Sequence, residues 1–489
     1  MRLGLSEKRE DRPLTAQRVS GDIAIPPTNL RGKALKGGAF LAGRHSVSLV
    51  IHLLGVTLLT RAIGSHDYGL YIGAFGVQSY LAAISQLGLI VYLVRHSDAI
   101  TDAEFDRAFT LLGTIGVTVA TIVYIALPTV ETWIGIEAFA PVGRALVVAL
   151  PIQLLALVPM RKLERALDYR AIAPVELGGY LAFYAVALPL ARSGLGEWAP
   201  VAGFWTQQCL LAIGMYGVAR YRPRLRWEPH RFREMLGYGV RYSGAQWIWQ
   251  LRDVVNPIIV GRFGGPKAVA LVALTVRLVD ALSFVKGVGW RVSLSVLGRL
   301  QKEPVRMVRA ASDGMRLQVL ALGAVLEGFG LVSLWAIPRL FGAEWLPVTV
   351  IYPFVAVGYL AHAIGQFEVA MLSVVDRTRR VAEFHLLHLL LFAGTALILV
   401  PRIGPIGYGW SEVAAVPSYA LLHAHTRRFI GGPDWRLAGV WWLAFVSLLF
   451  WHQIGWVSVI APVIAILWPG TSQQLRTYMI NARQLRHAE

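Results

Sequence analysis

LLTRAIGSHDYGLY, residues 58–71, and IIVGRFGGPKAVAL, residues 258–271, are the two stretches whose comparison decides the fold. Each ends one apolar run, breaks at glycine, and begins the next run. Gly64 falls opposite Gly264. Further landmarks follow in the same order. IALP, ending at Pro128, stands opposite WAIP, ending at Pro338, and ALDYR, with Asp168, stands opposite VVDRT, with Asp376. Six apolar runs separate each landmark from its counterpart. An even number of crossings returns the chain in the same direction, so the halves are expected to be parallel repeats around a shared axis. Transporters are built this way, with the site between the halves and alternating access by rocking.

The composition supports a membrane setting. Of 489 residues, 55% are hydrophobic and 16% charged, against roughly a quarter charged in a soluble domain. About 14 apolar runs approach the ~20 residues needed to span hydrocarbon as helix; the last two are short, so 12 spans and a re-entrant hairpin is the alternative count. The expected fold is therefore all-α and polytopic, with about 14 transmembrane helices in two parallel six-helix repeats around a central cavity, plus a C-terminal helix pair. The boundaries read as a basic tail (1–36), an N-lobe (37–220), a basic linker (221–234), a C-lobe (235–430), and a helix pair with a tail (431–489).

The net charge of +18 is distributed by side. Basic residues crowd into 161–170, 220–233, 299–316, 377–380 and 427–436, while the alternate loops hold few; 129–140 holds none. Such an asymmetry marks the rich side as cytoplasmic, with both termini inside, rather than a nucleic-acid partner. The tail lacks the apolar core of a signal peptide. Cys209 is the only cysteine, so no intramolecular disulfide can form. GxxxxGK[ST], HExxH, GxSxG and paired-cysteine patterns are all missing. No loop on the poor side has room for a soluble domain. These features point away from an enzyme and imply neither metal nor cofactor.

The charges inside the spans are costly, on the order of 2.5–3.5 kcal/mol each at mid-bilayer. The densest set begins in QWIWQLRDVVNPIIVG, residues 246–261. Arg241 and Arg252 lie about 20° apart on a helical wheel. On the next run Arg277, Asp280 and Arg291 share a stripe, with Lys286 facing the other way. Arg252, Asp253, Arg277 and Asp280 then form one tier and Arg241 and Arg291 another, with Arg44 level with the second. Two readings follow. In one, Arg252–Asp280 and Arg277–Asp253 are neutral cross-pairs between helices, while Arg44, Arg241 and Arg291 snorkel to the interface. In the other, the five arginines line a water-filled cavity, cationic toward the cytoplasm, that receives an anionic head group through bidentate guanidinium contacts. Asn256-Pro257 would bend the helix beside it. Glu327, Glu368 and Glu412, with Asp253 and Asp280, are candidates for ion coupling; each isolated glutamate could equally pair with an arginine. His385 and His388 share a helix face, where packing suffices to explain them.

RAIGSHDYGLY (Arg61–Tyr71), together with Gly88-Leu89 followed by Arg95, resembles the first hairpin of Wzx-type polysaccharide flippases. These belong to the multidrug/oligosaccharidyl-lipid/polysaccharide (MOP) exporter superfamily. The resemblance implies a MATE/MOP-like fold in a bacterial inner membrane. It implies a flippase for polyprenyl-diphosphate-linked oligosaccharide repeat units, serving exopolysaccharide, capsule or O-antigen assembly. A cationic cavity and contact with polymerase and export machinery would accompany it. The alternative is an ion-coupled exporter of drugs or organic cations with the same fold. That activity needs exposed carboxylates, whereas the densest cluster counts five bases against two acids.

Overall fold

The computed structural model describes residues 27–89, 92, 93 and 101–486; for 27–46, 238, 241, 242, 288, 479 and 481–486 it describes the backbone alone. The described chain is helical throughout. In order the helices are α1 (Pro27–Ser85), α2 (Asp102–Ile134), α3 (Phe139–Val147), α4 (Leu150–Arg165), α5 (Tyr169–Arg192), α6 (Trp198–Ala219) and α7 (Pro229–Gln250). Then come α8 (Gly261–Leu282), α9 (Phe284–Arg299), α10 (Pro304–Leu340), α11 (Val348–Val374), α12 (Thr378–Ile403), α13 (Ile406–Ala415) and α14 (Ser418–Phe429). The chain ends in α15 (Arg436–Leu449), α16 (Trp451–Ile454), α17 (Ile460–Leu467) and α18 (Pro469–Arg486). Eight helices are long and apolar enough to cross a membrane, and nine if the bent pair Arg436–Leu449 and Trp451–Leu467 counts as one crossing. The chain is a multi-pass membrane protein.

Two of those eight are hairpins. Gly64 interrupts α1 at φ 76°, ψ 177°, and Gly265 interrupts α8 at φ 70°, ψ −175°. Only glycine adopts this conformation without strain. His52 and Phe75, at nearly equal distances on either side of Gly64, line the same cavity. Asp253 and Arg277, equally spaced about Gly265, line another. The chain therefore doubles back at both glycines. The break falls at Gly265, one residue past the Gly264 that an ungapped comparison pairs with Gly64; in a Gly-Gly pair, composition does not say which residue turns. Other positions also correspond: Pro128 and Pro338 both sit inside helices, and Leu167 and Asp376 take φ of 58° and 57° at the turns beside the third landmark.

The two halves meet at both ends of the bundle. At the glycine end, a Cβ on Gly69 would stand 1.8 Å from the Pro266 carbonyl oxygen, so the two backbones touch. Beside this contact Ser65 Oγ donates to Glu344 Oε2 (2.9 Å), the Arg61 guanidinium donates to the Arg339 carbonyl, and Tyr68 packs edge-on to Trp345. At the other end, a Cβ on Gly88 would lie 2.3 Å from the Gly239 carbonyl oxygen. The largest apolar cluster joins Tyr68, Tyr71 and Ile134 to Val260, Val272 and Trp345, and so spans both halves. At the basic end, buried Asp106 anchors the start of the linker. It accepts from Tyr221 Oη (2.8 Å) and the Arg224 amide (3.2 Å) and pairs with Arg226. Burial first, then the bond to Asp106, raises the Tyr221 phenol above its ordinary pKa.

Candidate functional site

Between the halves lies a cavity of ≈ 590 Å³, lined by Trp249, Arg252, Asp253, Arg277, Asp280 and Lys286 among others. Its wall around Arg252 follows from local sequence. After α7 the helix tightens to 3₁₀ over Leu251–Val254, then widens into a π turn over Asn256–Val260. Pro257 supplies no N–H, and π turns commonly accompany functional sites. Asn256 Nδ2 donates to the Val269 carbonyl across the hairpin (3.2 Å). Pro257 packs over Gly76 and Gly73: it would lie 3.3 Å from a Cβ added at Gly76 and 3.9 Å from one at Gly73. The bend expected at Asn256-Pro257 is therefore a change of helical pitch, packed tightly against the first hairpin.

The charges pair differently from the expected cross-pairs. Arg252 donates to Glu412 Oε1 at 2.9 Å, with Glu412 fully buried, and its guanidinium lies 5.1 Å from the Trp249 ring and 5.2 Å from Phe392. Arg277 donates to Tyr68 Oη at 2.9 Å. Neither Arg252–Asp280 nor Arg277–Asp253 forms among the described ion pairs. Both aspartates stay on the cavity wall. Glu412 thus serves as the counter-charge of Arg252.

The remaining residues are placed as follows. Arg44 and Arg241 lie in helices, with side chains outside the described residues. Arg291 is exposed and is not among the residues lining the central cavity. Lys286 does face it, 3.7 Å from the centre of the Tyr359 ring. The helical wheel fails here because the helix is interrupted at Ser283 (φ −87°, ψ 19°), between α8 and α9. Glu368 pairs with His423 Nδ1 at 2.7 Å. Glu327 is buried, and its Oε2 has no hydrogen-bond partner. His385 donates to the Ala245 carbonyl and His388 contacts Ser418 Oγ, both packing against Trp249. The described cavity wall therefore holds Arg252, Arg277 and Lys286 against Asp253 and Asp280, with Glu412 behind Arg252, a nearly balanced set.

Arg277 and Phe75 also line two further spaces. One is a largely apolar slot between the first arm of α1 and α8, formed by Leu49, Leu53, Val56, Leu274, Leu278 and Phe341, with His52 and Asp280 also on its wall and exposed Val50 and Leu54 beside it. The other is a cavity of ≈ 350 Å³ inside the first half. Composition gave no hint of this second cavity, because uncharged residues form most of its wall.

A family model described as polysaccharide biosynthesis protein matches residues 58–350, more than half of the chain. The succinoglycan biosynthesis transport protein ExoT of Rhizobium meliloti (strain 1021) is 22% identical over 73% of this chain and 75% of that protein. The lipopolysaccharide biosynthesis protein WzxC of Escherichia coli (strain K12) is 19% identical over 78% and 77%. The amylovoran biosynthesis protein AmsL of Erwinia amylovora is 25% identical over 42% of this chain and 53% of that relative, so the match spans about half its length. Among solved structures, the lipid II flippase MurJ in an inward closed conformation covers 91% of this chain and 99% of its own, with TM-score 0.72 and 13% identity. An inward-facing multidrug resistance MATE family transporter of the MOP superfamily covers 79% and 97%, with TM-score 0.57 and 14% identity. At such identities the likeness is one of fold.

Proposed function

We propose that this chain, which belongs to the polysaccharide biosynthesis protein family, is a flippase for polyprenyl-diphosphate-linked oligosaccharide repeat units. It is a transporter rather than an enzyme. The substrate has an anionic diphosphate joining a polar head to a long apolar tail. The observation that carries the reading is Arg277, a cation standing where the polar central cavity meets the apolar slot. The diphosphate binds Arg277, helped by Lys286; the sugars enter the central cavity; the polyprenyl chain leaves through the slot into lipid. Arg277 lies twelve residues beyond Gly265, roughly 18 Å along the helix and so near the middle of the hydrocarbon.

The membrane is the bacterial inner membrane, with the basic end and both termini cytoplasmic. The chain crosses it 14 times: the eight long helices give ten spans when the arms on each side of Gly64 and Gly265 are counted separately, and α6, α13 with α14, α15, and α16 with α17 add four. The N-lobe (37–220) and C-lobe (235–430) are parallel repeats joined by the linker 221–234, and the matching backbone at Gly64 and Gly265 supports this. Rocking of the lobes opens the Gly88–Gly239 contact toward the cytoplasm and the Ser65–Glu344 and Gly69–Pro266 contacts toward the outside. Asp253 and Asp280, the carboxylates left facing the cavity, carry any coupling ion.

The test is Arg277→Gln in the producing host. We expect normal protein levels, loss of surface polymer, and accumulation of lipid-linked repeat units on the inner leaflet. Normal polymer from a normally expressed variant would overturn the reading. The two cavity carboxylates also suit an exporter of organic cations, and ethidium efflux by the wild-type protein would favour that second reading.

A further inference from the structure

The linker between the halves carries large apolar side chains that the rest of the chain leaves uncovered. Residues 221–228 form no helix. They are pinned beside α2 at Asp106, and again where the Arg226 amide donates to Thr110 Oγ (2.9 Å). Thr110 stands where the apolar run of α2 begins, eight residues past Asp102 and so about 12 Å along the helix. At this level Leu225 is 81% exposed and Trp227 64%. Leucine and tryptophan held at the edge of the spans are placed to enter the membrane interface. Trp227 packs edge-on to Phe232 (5.3 Å). Phe232 in turn opens onto a groove along α7, completed by Leu111 of α2 and by Arg233, Leu236, Gly237 and Val240. From Pro229 to Val240 the groove follows eleven residues of helix, about 16 Å, a length that takes much of an acyl chain.

Charge selects the lipid. Arg226 shares Asp106, Arg231 pairs with Glu234, and Arg107 pairs with Glu228. Arg222, Arg224 and Arg233 are exposed and pair with no carboxylate among the described residues. An acidic protein segment could meet these arginines, but it would not fill a groove that continues along a membrane-spanning helix. We propose that the groove holds an anionic phospholipid of the cytoplasmic leaflet. Its phosphate meets Arg233, one acyl chain lies against Phe232, Leu236 and Val240, and Leu225 and Trp227 enter the interface beside it. That this leaflet is the cytoplasmic one rests on the orientation stated above. The groove also backs onto the contact between the halves. Gly239, which meets Gly88, is two positions beyond Gly237 and so about 200° around α7. A lipid lying between α2 of the first half and α7 therefore spans the seam, and it favours the arrangement in which Gly88 and Gly239 touch.

The test is native mass spectrometry of the delipidated full chain, titrated with phosphatidylglycerol or phosphatidylcholine. Wild type is expected to retain one phosphatidylglycerol about tenfold more tightly than phosphatidylcholine. Arg233→Gln should lower that affinity about fivefold, the effect of one basic residue at an anionic head. Gly237→Phe should abolish the retained molecule: an added Cβ there meets nothing within 4 Å, so the ring fills the groove without a clash. Amide exchange around Gly239 should slow when phosphatidylglycerol is added; unchanged exchange would overturn the bias toward closure. Equal retention of the two lipids, or full retention by Gly237→Phe, would overturn the site. Displacement of phosphatidylglycerol, one for one, by a poly-glutamate peptide would overturn it in favour of an acidic protein partner. Thermal unfolding identifies a misfolded Gly237→Phe, in which case Arg233→Gln decides alone. Separately, Arg222→Cys in a Cys209→Ser chain should resist a membrane-impermeant maleimide in spheroplasts. Labelling would overturn the orientation and the choice of leaflet, whereas a failed lipid titration overturns the site and leaves the orientation standing.

Discussion

The two halves begin alike and are filled differently. Each has a hairpin turned at a glycine of the same geometry, Gly64 or Gly265. Beside the first lies a hollow lined by aromatic rings and side-chain amides. Beside the second, Trp249 stacks 4.9 Å from His362 and lies 4.9 Å from His385 and 5.1 Å from His388, with the Arg252–Glu412 pair alongside. One half keeps room for a guest and the other is packed as a wall. Arg252 and Arg277 express the same contrast: the first is neutralised by a buried carboxylate, the second is held by a phenol and faces three spaces.

The hardest blow to this contrast is Glu412→Gln. It leaves Arg252 buried without its counter-charge and should cost about 3–5 kcal/mol, seen as a steep fall in the thermal unfolding midpoint in detergent. The double replacement Arg252→Met with Glu412→Leu should recover most of that loss. A single variant as stable as wild type would mean that the second half is as wet as the first. Next in size is Gly88→Ala. It places a Cβ against the Gly239 carbonyl at a residue with φ 69°, and about 2 kcal/mol is expected from strain and overpacking together. An unchanged midpoint would show that the halves part easily at that end. Arg277→Gln should cost only about 1–2 kcal/mol of stability while abolishing transport; an effect as large as that of Glu412→Gln would make the two arginines structural equals. The smallest change is Ser65→Ala, which removes one hydrogen bond to Glu344 and should cost under about 1 kcal/mol. A larger loss would make that contact the main tie at the glycine end.

The sequence alone carried the helical, multi-pass character, because hydropathy acts over whole segments and needs no partner. It carried the hairpin at Gly64 for the same local reason. Pairings were out of reach. Arg252 and Glu412 are 160 positions apart, and nothing near either one names the other. The helical wheel placed Lys286 outside the cavity and Arg291 on it; the break at Ser283 reverses both. The first-half cavity was invisible because its wall is mostly uncharged, and glutamine among tyrosines raises no alarm in a membrane helix. The five-to-two excess of bases was a count along one segment; the fold brings in Glu412 beside Arg252 and leaves Arg291 off the cavity wall.

The spacing of Arg252 and Glu412 also has a consequence for how the chain is made. At about 5–20 residues per second, a ribosome emits Glu412 on the order of 10–30 s after Arg252. For that interval the arginine is in or near the bilayer without the partner it will keep. Asp253, next in the chain, is the counter-charge available from the first moment. Arg277 faces no such wait, since Tyr68 was synthesised long before it. The adjacent Arg-Asp pair thus gives the arginine a counter-charge within its own segment while the rest of the second half is still being made.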